Sequence, residues 1–184
     1  MKKLFMTLLT GLFMLAMTTT ALAATPTDQE VIAAYQNANK VFEWFSCKPL
    51  PTNGRMKKET GYMIYYNVDY PNVRTMGDLH RECEKVFTYT FSNQLISSSR
   101  LYKEFDGGLF VAPAGRGYNV FAGKDSFKVV RDAATPDKLT LQVSTEKLEN
   151  PPAGKMAVVG YNTHNFSYIS TPIGWRFANF QAVR

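Results

Sequence analysis

The side chains most able to do chemistry are few. The 184-residue chain has two cysteines, Cys47 and Cys83, and two histidines, His80 and His164. A cysteine beside a histidine could make a thiol nucleophile, and His80 with Cys83 has the i, i+3 spacing that can hold a metal on a helix. Neither pattern completes. A structural or catalytic metal needs three or four ligands, and the two histidines lie far apart in sequence. There is no Gly-x-Ser-x-Gly elbow, no paired-His motif, no calcium loop and no phosphate-binding glycine loop. Ala114-Gly115-Arg116-Gly117 lies between strand-like segments, so it reads as a turn. No catalytic residue, no metal and no cofactor is expected.

The N-terminus gives the inventory a setting. Lys2 and Lys3 precede an apolar run from Leu4 to Met17, and Ala21-Leu22-Ala23 supplies small residues for cleavage. The run ends at Thr18-Thr19-Thr20, short of the roughly 20 residues a span needs. Residues 1–24 are therefore expected to be a signal peptide of bacterial type. Residues 25–184 would form a single α+β domain, secreted or periplasmic and not membrane-spanning. Two of the 21 basic residues fall in the leader, leaving 19 against 15 acids, a net charge of +4. That favours anionic surfaces such as wall polymers, but no dense basic run marks a nucleic-acid groove. In an oxidising compartment, Cys47 and Cys83 are expected to pair as one disulfide. It would close a loop of about 36 residues and contribute roughly 4 kcal/mol by chain entropy.

The elements that would position these residues follow from periodicity. Residues 25–46 read as an amphipathic helix, with Thr27 and Glu30 at capping-box spacing and a stripe through Val31, Tyr35, Ala38 and Phe42. Thr52–Thr60 reads as a polar loop and Tyr62–Val68 as a strand. A second helix opens at Thr75, with Asp78 three residues on. Its stripe runs Leu79, Cys83, Val86, Phe87, Phe91 and Leu95, and serines at 97–99 close it. Beyond Arg100 the pattern is antiparallel sheet. Leu101–Phe105 and Leu109–Ala112 flank the hairpin signal Asp106-Gly107-Gly108. Further strands are expected at Tyr118–Ala122, Ser126–Arg131, Lys138–Ser144, Lys155–Ile169 and Ile173–Val183, the last with a bulge near Phe180. The fold expected is α+β, two N-terminal helices packed on a curved antiparallel sheet of about six or seven strands.

That order is similar to the cone-shaped cystatin-like and nuclear-transport-factor-like folds. Three segments sharpen the likeness: Val73-Arg74-Thr75-Met76-Gly77-Asp78-Leu79, the run from Tyr102 to Phe110, and Gly174-Trp175-Arg176-Phe177-Ala178-Asn179-Phe180. Together they resemble the IseA-type inhibitors of peptidoglycan D,L-endopeptidases. The resemblance implies a non-catalytic exported protein whose partner is a cell-wall hydrolase, its cleft blocked by steric occlusion. The contact loop would be Pro113, Ala114, Gly115, Arg116 and Gly117, with Asp106, Gly107 and Gly108 as a second surface. Rival readings are a small-ligand binder or isomerase using the cone interior, and a wall-polymer binder.

Overall fold

The computed structural model describes residues 24–113, 117–149 and 155–183; the expected leader, residues 1–23, lies outside them. The first helix, α1 (Asp28–Glu43), begins at the Thr27 cap. The Thr27 hydroxyl accepts from the Glu30 amide, and the Glu30 carboxylate accepts from the Thr27 amide. The reciprocal bonds satisfy two of the helix's free donors. Its buried stripe is Val31, Tyr35 and Ala38.

Next come β1 (Thr52–Thr60) and β2 (Met63–Val68). The segment expected to be a polar loop is therefore a strand. Every residue of β1 is exposed, so it has no apolar alternation to announce it. The expected second helix is two, α2 (Met76–Glu84) and α3 (Tyr89–Ser98). The break has a tertiary cause. Strand β8 (Gly174–Phe177) draws the chain at 86–88 into strand pairing, with Phe177 donating to the Val86 carbonyl and Thr88 donating to the Phe177 carbonyl. Arg176 Nε donates to the Glu84 carbonyl at the end of α2, and the Thr88 hydroxyl caps α3.

The strands form two sheets rather than one. The first has the order β1-β2-β4-β3, with β3 (Tyr102–Phe105) and β4 (Gly108–Val111) joined through Asp106 and Gly107 at φ 51° and 76°. Both positive values suit the Asp-Gly turn that twists with its strands. The second is a meander, β5 (Ala122–Arg131), β6 (Lys138–Glu149), β7 (Ala157–Thr171) and β8. The expected strand at 118–122 is irregular up to Phe121, which separates the sheets. The last strand ends at Phe177 instead of bulging near Phe180.

The fold is thus α+β with three helices and two four-stranded antiparallel sheets. Two helices on a single curved sheet of six or seven strands is not what forms. Neither sheet closes or curls into a cone, so a reading that needs the cone interior loses its cavity.

Packing ties the layers together. The larger core joins Val31, Tyr35 and Ala38 of α1, Cys83 of α2 with Phe87 just after it, and Leu141, Val143, Phe166 and Phe177 of the second sheet. Phe180 is its hub, with its ring 4.8–5.6 Å from those of Tyr35, Phe42, Phe87, Phe166 and Phe177. A second core sets Leu79 of α2 against Val68, Leu109 and Val111 of the first sheet. Among the described residues no helix is long and apolar enough to cross a membrane.

Cys47 and Cys83 are free thiols, so the expected disulfide is corrected. Cys83 points into the larger core, fully buried. Cys47 lies past the end of α1, where its amide donates to the Glu43 carbonyl and its sulfur accepts from the Ser46 hydroxyl. Burial, then the charges of Glu82 and Glu84, push the Cys83 thiol up to about 12.

Candidate functional site

α1 and β5 run antiparallel, with Tyr35 of the helix against Phe127 of the strand. Where the helix begins, Arg131 of β5 bonds the Asp28 carboxylate and donates to the Pro26 carbonyl at 2.8 Å. Toward the helix C-terminus the two elements part, leaving an open cleft of about 880 Å³. Tyr35, Phe42 and Phe127 form its back, with Ala182 and Val183 of the C-terminal segment. Gln36, Asn39, Lys40, Glu43, Ser46, Cys47 and Lys48 line the helix side, and Gly117, Tyr118, Lys124 and Asp125 the other.

The helix side follows from spacing. Gln36, Lys40, Glu43 and Cys47 recur every three or four residues, a polar row beside the apolar stripe. The strand side follows from alternation. Along β6 the inward residues are Leu139, Leu141, Val143 and Thr145, all buried, so the column turns polar only at its last member. Thr145 sits opposite Asp125 and donates to its carboxylate at 2.7 Å.

A polar bridge crosses the mouth. Asn39 Nδ2 donates to Glu43 at 2.9 Å, and the Tyr118 hydroxyl donates to the other Glu43 oxygen at 3.3 Å. A hydrogen bond with Cys47, then burial and the Glu43 charge, push the Tyr118 phenol up to about 12, so it remains a neutral donor. The wall beyond α1 is fixed from behind. Tyr102 Oη donates to the Trp44 carbonyl at 2.9 Å and accepts from the Leu50 amide at 3.0 Å, clamping the turn that carries Ser46, Cys47 and Lys48.

The residues expected to act are scattered. Of the anticipated contact loop, Pro113 is exposed and Gly117 lines the cleft, while Ala114, Gly115 and Arg116 lie outside the described residues. Asp106 pairs with Lys58 at 2.8 Å on the β3–β4 hairpin, whose turn continues through Gly107 to Gly108. His80 faces Glu84 at 3.7 Å, and His164 meets Gln181 at 2.5 Å. Neither histidine lines the cleft, and among the described residues no group of three or more potential ligands could hold a metal. Lys40, Glu43, Lys48, Tyr118, Lys124 and Asp125 were not singled out from sequence. The one signal available was the polar row flanking the α1 stripe.

The occlusion reading is also corrected, since the closed cone it was tied to does not form among the described residues. The chain matches no family model and no curated protein, so the three short motifs do not place it among the IseA-type inhibitors.

Proposed function

We propose that this is an exported, non-catalytic protein that binds a small ligand in the cleft between α1 and β5. The cleft itself carries the reading. It has an apolar back, a hydrogen-bonded polar rim and walls built on a helix and a strand, the arrangement of a preformed ligand site. Its functional groups suit holding better than reacting. Glu43 is engaged by Asn39 and Tyr118, Thr145 donates to Asp125, and Cys47 has no imidazole among the lining residues. The leader-like N-terminus, with its basic start, apolar run and small residues at 21–23, supports export.

A thermal-shift screen tests this. A ligand at about 100 times its Kd should add roughly 2.7 kcal/mol of stability, or about 5–10 °C for a chain of this size. Gln36 is exposed on the helix side of the cleft, so Gln36→Trp should fill the space without disturbing the core. Hits should raise the midpoint of the parent protein and not of Q36W. If every hit stabilises Q36W equally, the cleft is not the site.

A further inference from the structure

Three lysines line the cleft, from both of its sides. Lys40 and Lys48 come from α1 and the turn after it, and Lys124 from the start of β5. Among the described residues none of the three forms an ion pair. Two carboxylates share the cleft, but Glu43 is bonded by Asn39 and Tyr118, and Asp125 accepts from Thr145. Among the described lining residues three exposed lysines stand against two acids, a net positive lining.

Behind the rim the surface is apolar. Tyr35 is 3 % exposed and meets Phe127 edge to face at 5.7 Å, with Phe42, Ala182 and Val183 alongside. An occupant complementary to both zones has an anionic head and an apolar body. The head would stay near solvent, where long lysine stems can reach it while their ammoniums remain hydrated. The body would lie on the half-buried Phe42, Phe127, Ala182 and Val183 and gain from burying their apolar surface. A neutral sugar would leave all three ammoniums without a counter-charge.

We infer that the ligand of the α1–β5 cleft is an anionic amphiphile, a carboxylate or phosphate carried on an aliphatic or aromatic body. The inference rests on the ligand-binding reading of the same cleft.

Calorimetry with decanoate, decyl phosphate and decanol separates the parts of this claim. The two anions should bind at low salt at least about tenfold more tightly than decanol and weaken as salt is added. Each of Lys40→Gln, Lys48→Gln and Lys124→Gln should cost about two- to fivefold, and the triple variant about 30-fold, as partly exposed ion pairs do. Q36W should abolish binding of every probe. If decanol matches decanoate, or the triple variant binds the anions unchanged, the ligand class is wrong while the cleft stands. If neither anion binds the parent protein, the amphiphile is refuted and the screen above decides the cleft separately. Anion binding that persists in Q36W refutes both. A soluble polyphosphate polymer that needs the lysines but ignores Q36W would make the cations a polyanion surface and overturn the amphiphile.

Discussion

Tyr102→Phe removes one hydroxyl and tests how the cleft wall is held. That oxygen spans two backbone groups, accepting from the Leu50 amide at 3.0 Å and donating to the Trp44 carbonyl at 2.9 Å. Leu50 is 2 % exposed and Tyr102 5 %, so water cannot readily replace the lost oxygen. Leaving a buried amide without an acceptor costs about 1–3 kcal/mol, and the carbonyl adds to that. Losing the desolvation of the hydroxyl itself offsets part of the cost. The net expectation is about 2 kcal/mol, or roughly 4–8 °C in Tm for a chain of this size. The ring contact with Phe45, at 5.3 Å, survives the change and keeps the packing. Urea titration should show a lower midpoint with an unchanged slope. Amide hydrogen exchange should report faster exchange at Leu50 while amides of β6 stay protected. A variant within about 0.5 kcal/mol of the parent, with Leu50 equally protected, would show that the clamp does not hold the turn.

Phe180→Ala should be the most damaging single core change. It empties a ring that meets five others, with an expected loss of about 3–5 kcal/mol; a loss under about 1 kcal/mol in urea titration would contradict the packing. Alkylation with iodoacetamide near pH 8 should modify one thiol, Cys47, while Cys83 reacts only after unfolding, because Cys83 is buried and its thiol is pushed up to about 12. Intact mass before and after denaturation reads this directly, and an unreactive native protein that gains two labels only after reduction would restore the disulfide. The same burial predicts alkaline instability. Above pH 9 the unfolded chain releases the Cys83 proton while the folded chain holds it to about 12, so stability falls as pH rises through that window. Tyr102, whose phenol burial also raises, adds to the fall above pH 10. The slope approaches about 1.4 kcal/mol per pH unit for one group. Cys83→Ala should flatten it in urea titrations across this range, and an identical slope would refute the assignment.

What the sequence disclosed were features fixed by local chemistry. The Thr27–Glu30 and Thr75–Asp78 boxes are spacing rules satisfied within four residues, and both form. The Asp106-Gly107 turn and the alternation of Leu139, Leu141 and Val143 are equally local. The misses arise where distant contacts override a local pattern. The stripe from Leu79 to Leu95 keeps helical spacing across 85–88, and only pairing with β8 divides it. β1 buries nothing, so hydrophobic periodicity cannot register it. The aromatic residues of 118–121 resemble a strand, yet Tyr118 crosses the cleft mouth to Glu43, 75 residues earlier. The cleft was invisible for the same reason. Its lining comes from 35–48, 117–127 and 182–183, and no one of these segments carries a motif.

The opening between α1 and β5 has a physical origin in two strand columns that turn polar at the same end. On β6, Val143 gives way to Thr145, and on β5, Phe127 gives way to Asp125, while α1 carries its apolar stripe on to Phe42, against Phe180, with Asn39 and Glu43 beside it. Were the helix to close on the sheet there, it would bury carboxylates and an amide with little apolar surface gained in return, and burying a charge is costly unless it is fully paired. At the other end the balance reverses, since Val31 and Tyr35 meet an apolar sheet and Arg131 ties the helix start to the strand. The helix is therefore tied to β5 at its start, while its far end packs on Phe180 and Tyr102 instead of on β5. An occupant supplying its own apolar surface would extend the core into that gap. If it also carried a negative charge, it would give the rim lysines the partner that the cleft's own carboxylates do not provide.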